Sequence, residues 1–180
     1  MDAAKLSGAP DPALVERFAK KLERLWPLED REPGARLGLA VSGGPDSLAL
    51  LLLAHAAMPG DIAVASVNHG LREAASGEAA FVEQVCARLG GPFTALRVKV
   101  QGGNLQARAR EARYAVLAQW LRDERLGALA TGHHADDQAE TLLMRLARGS
   151  GLSGLAGGRA ASPFDPGDGG PPFALLRPLL

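Results

Sequence analysis

Apolar residues recur along the chain with two spacings, one typical of helices and one typical of buried strands. Asp11-Pro12 offers a helix cap followed by a proline that suits the first turn. Leu14, Phe18 and Leu22 then repeat at helical spacing and predict a helix after this cap. Short apolar runs bounded by turn residues predict buried strands, at 37–41, 62–67, 93–98 and 128–131.

Longer apolar or amphipathic segments separate these runs and predict helices. Leu48–Met58 is almost entirely apolar, but its 11 residues fall well short of a membrane span, so we predict a buried helix. Ser76 is expected to cap the next helix, and Asn104 is expected to cap a long helix that runs to about Arg125. A further helix is predicted from about Asp136 to Ala147.

Strands that alternate with crossover helices predict an α/β fold. We expect a doubly wound, mainly parallel, Rossmann-like sheet with helices on both faces. Residues 1–36 are expected to form a helical segment packed on the core, and residues 37–161 to form the domain that carries the sheet. In such sheets, ligands bind beyond the carboxyl ends of the strands.

The last part of the chain differs in composition. Ser162–Phe173 contains seven Gly or Pro in twelve residues, which predicts a flexible loop. Leu175–Leu180 then begins another apolar element. We therefore treat residues 162–180 as a loop and the start of a final element, and we expect the chain to be a piece of a longer protein.

Composition limits the classes of function. The 180 residues include 20 Lys and Arg against 20 Asp and Glu, and 47% are hydrophobic. This apolar content suffices for a packed core and excludes disorder as the main state. Zero net charge argues against nucleic-acid binding by bulk charge alone, although it leaves room for a local basic face.

The chain has one cysteine, Cys86, which excludes a disulfide framework or a cysteine-ligated cluster formed within it. Its N-terminus shows no basic-then-apolar signal pattern. We therefore expect a cytoplasmic protein without a membrane partner.

The segment Ser42-Gly43-Gly44-Pro45-Asp46-Ser47 lies where the first strand meets the next helix. Unpaired N–H groups and the helix dipole favour an anion there, and the glycines allow the backbone to approach it closely. Asp46 would repel a phosphate unless Mg²⁺ lay between them, which predicts a metal-bound polyphosphate. The alternative is a simple glycine-rich turn in which Asp46 caps the helix.

A second polar cluster follows the fourth strand. On a helix, Asp137 lies on the same face as His133 and Glu140, and Asp136 pairs with Glu140. Such carboxylates can hold a cationic amine, act as a general base or bind a metal. The alternative is that these acids complement the helix dipole or form a solvated face.

The segment from residue 97 to residue 125 is basic, with seven Lys or Arg against three Asp or Glu, a net charge of +4. Arg110 and Arg113 lie on one face of the long helix and are placed to contact phosphates of a nucleotide or of RNA. The alternative is a solvated helix surface.

Five motifs follow one another along the chain: Ser42–Ser47, Val67–Arg72, Gly103-Asn104 with Ala109–Tyr114, Gly132–Thr141 and Arg148–Leu155. The first motif resembles the pyrophosphate-binding loop of the PP-loop ATP-pyrophosphatases and by itself marks only that superfamily. The five motifs in this order more closely resemble the N-terminal catalytic domain of bacterial tRNA(Ile)-lysidine synthetases, and the set together is specific.

The resemblance implies an ATP-dependent carbon–nitrogen ligase that uses ATP and Mg²⁺. Such an enzyme joins L-lysine to C2 of the wobble cytidine of the isoleucine tRNA with a CAU anticodon, through an adenylated tRNA, and releases AMP and pyrophosphate. The implied catalytic residues are Asp46, His133, Asp137 and Glu140, with Asp46 as the metal ligand. The implied nucleotide-binding residues are Ser42, Gly43, Gly44, Pro45, Asp46, Ser47, Arg110, Arg113, Gly132 and Arg148.

Two other functions remain open from the sequence. One is a tRNA thiolation enzyme of the same superfamily, although such enzymes need cysteines that this chain lacks. The other is an adenine-nucleotide-binding module without catalysis. The choice among Asp136, Asp137, Glu140 and His133 as general base also remains open.

Overall fold

The computed structural model describes residues 9–68, 74–98, 105–133, 159–166 and 170–180. Helices and strands alternate along them as the sequence predicts. The helices are α1 (Pro12–Leu25), α2 (Pro45–Ala57), α3 (Ala74–Leu89) and α4 (Leu105–Asp123), with a short 3₁₀ turn at Leu28–Asp30. The strands are β1 (Arg36–Ala40), β2 (Ile62–Asn68), β3 (Phe93–Arg97), β4 (Leu126–Thr131), β5 (Ala161–Phe164) and β6 (Phe173–Leu176).

The strands form one six-stranded sheet in the order β3-β2-β1-β4-β6-β5. All neighbouring pairs are parallel except β5 and β6, which are antiparallel. The predicted α/β fold with a mainly parallel sheet is therefore confirmed. Among the helices in the described ranges, none combines the length and the apolar character needed to cross a bilayer.

The helices cover both faces of the sheet. Helices α1, α2 and α3 pack on one face, where Leu37 and Leu39 of β1 are fully buried. Helix α4 packs on the other face, where Leu117 and Leu121 meet Ala40 of β1. Alternate residues of β1 thus serve the two layers, as the period of two along a strand requires.

Small residues allow the helices to approach the sheet closely. A Cβ on Gly38 of β1 would lie 2.8 Å from Leu121 Cδ2 and 3.0 Å from the Trp120 ring of α4. A Cβ on Gly127 would lie 2.7 Å from the ring of Trp26, which follows α1. The glycines therefore set how near α4 and the end of α1 lie to β1 and β4.

The first helix agrees with its predicted start. Asp11 accepts a hydrogen bond of 2.7 Å from the N–H of Ala13, and Pro12 occupies the first helical position. The prediction for α3 is wrong at its start, because the helix begins at Ala74 and Ser76 lies inside it. Asn104 and the helix predicted from Asp136 to Ala147 lie outside the described residues.

The prediction of a loop over Ser162–Phe173 is wrong at both ends. Residues 162–164 belong to β5, and Phe173 begins β6, which lies between β4 and β5. Pro163 is tolerated because β5 is the edge strand, where a missing N–H need not break the sheet. The predicted apolar element near the end of the chain is confirmed as β6, with Leu175 and Leu176 buried.

Substitution of Gly38 tests the close packing of α4. We expect Gly38→Ala to lower the free energy of unfolding by about 1–3 kcal/mol, because the added methyl overpacks the interface with Trp120 and Leu121. Gly77 lies in α3 with open space around it, so Gly77→Ala should raise that free energy by up to about 1 kcal/mol. Urea denaturation measures both, and equal effects of the two changes would contradict this account.

Candidate active site

The order of the strands in the sheet reverses at β1. The chain adds β2 and β3 on one side of β1 and then places β4 on the other side. From β1, helix α2 crosses one face to β2, whereas β4 lies on the other side of β1 and is reached through α4 on the opposite face. The carboxyl ends of β1 and β4 therefore lie side by side at the point where the strand order reverses. This is the position at which open α/β sheets bind ligands.

A cavity of about 240 Å³ opens at this point. It brings together most of the predicted site residues from both strand ends and from α4. Arg110 does not line it, Gly43 and Pro45 belong to the same loop without lining it, and Asp137, Glu140 and Arg148 lie outside the described residues. The lining residues are Ala40, Ser42, Gly44, Asp46, Ser47, Arg113, Thr131, Gly132 and His133.

Glycines shape the loop that joins β1 to α2. Gly43 has φ of 92°, a conformation that favours glycine, and a Cβ there would lie 3.3 Å from Cβ of Glu78. Gly44 occupies the cap position of α2, Pro45 begins the helix and Asp46 follows in its first turn. The alternative in which Asp46 caps the helix is therefore wrong, and its carboxylate stands at the cavity wall instead.

The hydroxyl of Ser47 holds the loop in its conformation. It accepts hydrogen bonds from the N–H groups of Ser42, at 3.2 Å, and of Gly43, at 3.1 Å. It donates its own proton to the carbonyl oxygen of Gly44 at 2.8 Å. In this conformation Ser47 organises the loop, and its implied role in nucleotide binding stays a prediction.

Gly132 allows the end of β4 to lie against the first turn of α2. A Cβ on Gly132 would stand 2.9 Å from both N and Cα of Ser47 and 3.0 Å from the carbonyl carbon of Asp46. These neighbours are backbone atoms, so they cannot rotate away. A larger residue would therefore push β4 and the loop apart.

Thr131 is a cavity residue that the motif analysis missed. Its side chain is buried, and its Oγ1 lies 2.8 Å from Nδ1 of His133. This contact orients the imidazole at the cavity wall. Thr131 is the last residue of β4, so the rule that selected polar residues at strand ends would have found it.

Arg113 places a positive charge in the cavity wall opposite the loop. Burial lowers the pKa of its guanidinium, which nonetheless stays cationic at neutral pH. Within the described parts of the chain, no carboxylate pairs with it. A partly buried cation beside a helix N-terminus favours an anionic ligand between them.

Arg110 lies one turn earlier on α4 and contacts an aromatic pair. Its guanidinium carbon stands 5.0 Å from the centre of the Tyr114 ring, and Tyr114 packs against Phe164 of β5 with ring centres 4.8 Å apart. The contact with Tyr114 therefore directs the guanidinium of Arg110 along α4, although the residue is exposed. Its predicted role toward a nucleotide stays a prediction.

Asp46 is the carboxylate that lines the cavity among the described residues. Those residues contain no group of three or more acidic, His or Cys side chains that could form a dedicated metal cage. Mg²⁺ is ordinarily held by one or two carboxylates together with phosphates and water. A single carboxylate beside an anion site fits that mode of binding.

Relatives and solved structures are similar to this chain over most of its length. The tRNA(Ile)-lysidine synthase of Novosphingobium aromaticivorans is 55% identical over 150 residues, which cover 83% of this chain and 45% of the relative. The tRNA(Ile)-lysidine synthase of Zymomonas mobilis is 50% identical over 147 residues, which cover 81% of this chain and 44% of the relative. The chain thus spans less than half the length of these curated relatives.

Two solved structures share the fold. The U34-tRNA thiolase NcsA of Methanococcus maripaludis, solved with its 4Fe–4S cluster, superposes with a TM-score of 0.65 at 18% identity and covers 93% of this chain and 59% of its own. The NH₃-dependent NAD synthetase of Campylobacter jejuni superposes with a TM-score of 0.50 at 13% identity, over 87% of this chain and 65% of its own. At these low sequence identities, the similarity shows a shared fold and nothing about function.

A family model described as a PP-loop domain matches residues 14–180. This range includes every element of the sheet and the whole cavity. The chain therefore belongs to the PP-loop domain family.

Proposed function

We propose that this chain is the catalytic part of a tRNA(Ile)-lysidine synthase. It would use ATP to join L-lysine to C2 of the wobble cytidine in the isoleucine tRNA with a CAU anticodon. The observation that carries the proposal is the cavity at the β1–β4 crevice, where the loop 42–47, Arg113 and the residues after β4 meet. Identities of 55% and 50% to synthases of this name support it.

The cavity suits the cleavage of ATP between its α- and β-phosphates. The start of α2 offers N–H groups and a positive dipole end to the phosphates, and Arg113 supplies a cation from the other wall. Groups fixed in this way stabilise the charge that develops on departing pyrophosphate more than they stabilise the substrate. That difference lowers the barrier to transfer of AMP.

Asp46 is the residue placed to hold Mg²⁺ near the phosphates. Its carboxylate would repel a polyphosphate by itself, so a cation between them makes the pairing favourable. When bound, Mg²⁺ neutralises charge on the phosphates.

The proposed reaction has two steps at one nucleotide. The O2 atom of the cytidine attacks the α-phosphorus of ATP, and pyrophosphate leaves. The amine of lysine then adds at C2, and the C2–O bond breaks to release AMP. Because the amine is protonated in water, a base must accept its proton before it attacks.

The candidates for that base come from the segment after β4. His133 lines the cavity, whereas Asp136, Asp137 and Glu140 lie outside the described residues. A carboxylate could bind the ammonium group and then take its proton.

The chemistry of Cys86 weighs against tRNA thiolation by this chain. Cys86 lies on the core-facing side of α3 and is 1% exposed, and burial together with the charge of Glu83 raises the pKa of its thiol to about 11. A thiol with that pKa is not a nucleophile at neutral pH. One cysteine also cannot supply the several thiolate ligands of an iron–sulfur cluster.

Release of pyrophosphate tests the proposed function. The chain is incubated with ATP, Mg²⁺, lysine and a CAU-anticodon isoleucine tRNA transcript, with each component omitted in turn. The synthase of Novosphingobium aromaticivorans serves as the positive control. We expect continued turnover only in the complete mixture, because lysine must displace AMP from the adenylated tRNA before the enzyme is free to take another tRNA. Turnover that ignores lysine would contradict the ligase, and ATP binding without turnover would favour a nucleotide-binding module.

Asp46→Asn tests the proposed metal ligand. The change keeps the shape of the side chain and removes its charge, so we expect Mg²⁺-dependent turnover to fall by roughly 10²-fold with no change in the urea midpoint. Asp61→Asn is the matched control. Asp61 is exposed, as Asp46 is, but it precedes β2 and therefore lies at the amino ends of the strands, away from the cavity. Wild-type turnover by Asp46→Asn would remove Asp46 from the metal site.

Substitution of Thr131 tests the orientation of His133. Thr131→Val keeps the shape of the side chain and removes the hydroxyl that lies 2.8 Å from Nδ1. Loss of one hydrogen bond of about 1 kcal/mol corresponds to about a fivefold slower lysine-dependent step, with the KM for ATP unchanged. Thr131→Ser retains the hydroxyl and should stay near the wild-type rate.

The imidazole nitrogens of His133 give a second measurement of this contact. Their ¹⁵N chemical shifts should change in Thr131→Val and not in Thr131→Ser. If the valine variant leaves both the rate and these shifts unaltered, the contact has no part in catalysis.

A further inference from the structure

A second concavity, which we call the α1 groove, lies between α1 and the residues that follow β6. Its volume is about 430 Å³. One side is formed by cationic side chains of α1, and the other includes Leu53 of α2 and Leu179. The cations are Arg17, Lys20, Lys21 and Arg24.

The spacing of these cations places them together on one face of α1. Positions 17, 20, 21 and 24 are separated by three or four residues, which brings their side chains into one row. Phe18 and Leu22 occupy the adjacent face and are buried in the core. Core packing of α1 therefore fixes the direction in which the basic row points.

The two acids of α1 leave three of the four groove cations unpaired. Glu16 pairs with Lys20 at 2.6 Å, and Glu23 accepts hydrogen bonds from Arg31 and from the N–H of Leu28. Neither acid lines the α1 groove. Within the described ranges, Arg17, Lys21 and Arg24 have no hydrogen-bond or ion-pair partner. Three positive charges thus face the groove without compensation.

We propose that the α1 groove binds the phosphate backbone of the RNA substrate. The inference rests on the proposed function for the identity of the polyanion, and on the charge of the groove for its location. A chain with zero net charge needs a local basic surface to hold RNA, and this row supplies one. Six apolar residues also line the groove, so we expect the phosphates to lie along its α1 side, where the four cations stand.

The position of the groove suits an RNA strand that also reaches the cavity. Leu53 lies six residues after Ser47 on the same helix, which is about 9 Å along the axis of α2. On the other wall, Pro178 follows Leu176, which pairs with Ala130 next to the cavity residue Thr131. A strand of roughly three nucleotides, at about 3.4 Å each, covers the 9 Å interval.

Charge removal within the groove tests the inference. The double variant Arg17→Gln/Arg24→Gln is compared with Arg88→Gln/Arg125→Gln, a matched pair of exposed arginines that do not line the groove. Binding of a fluorescein-labelled stem–loop RNA with a CAU loop is measured by anisotropy across a series of salt concentrations. A parallel urea titration verifies that each variant is folded.

We expect the groove variant to bind the RNA about tenfold or more weakly, and the slope of log K against log salt to fall by about 1.4 to 1.8, for two lost phosphate contacts. Arg17→Lys/Arg24→Lys should restore most of the binding, because phosphate needs only the charge. The control pair should retain wild-type affinity and slope.

Two outcomes would overturn the inference. One is an unchanged affinity and salt slope in Arg17→Gln/Arg24→Gln, which would leave the groove to a protein segment. The other is an equal loss of binding in the control pair, which would mean that RNA responds to overall charge alone.

Failure of the proposed function would look different. Pyrophosphate release that ignores lysine contradicts the ligase activity and leaves the binding measurements intact. Asp46→Asn further separates the ligase activity from RNA binding, because this variant should lose turnover while it keeps its affinity for the stem–loop.

Discussion

The candidate site depends on the close contact between Gly132 and the first turn of α2. Backbone atoms of Ser47 and Asp46 lie where a side chain on residue 132 would begin, so the end of β4 and the loop after β1 share one wall. Parallel pairing of β1 with β4 brings these two ends to the same edge. Without that approach, the loop and His133 would not line a common cavity.

Electrostatics follow from the same geometry. The start of α2 presents N–H groups to the cavity, Arg113 faces it from α4, and Asp46 adds one negative charge at the rim. Gly38 lets Trp120 and Leu121 of α4 approach β1 closely. These charges line one cavity, and in the proposed function an anion with a bridging cation would satisfy all of them.

The chain distributes its charges over distinct surfaces, which explains how a net charge of zero is compatible with the proposed RNA substrate. Cations of α1 face a groove, while Glu16 and Glu23 are held by Lys20 and Arg31. Within the cavity, Arg113 has no carboxylate partner among the described residues. Local arrangement, rather than total charge, therefore determines what each surface attracts.

Local patterns in the sequence were sufficient to predict the types of most elements and the segments that meet at the strand ends. Helical spacing, turn residues and the motif Ser42–Ser47 are properties of neighbouring residues, so they can be recognised without knowledge of the tertiary structure. Two local predictions failed, at Ser76 and over Ser162–Phe173, because a helix can extend past a potential cap and an edge strand tolerates proline. The tertiary structure alone decided that β4 adjoins β1, that Ser47 bonds within its loop and that Thr131 contacts His133. These contacts depend on which strands pair and how closely backbones approach, and such long-range choices are not encoded in the spacing of nearby residues.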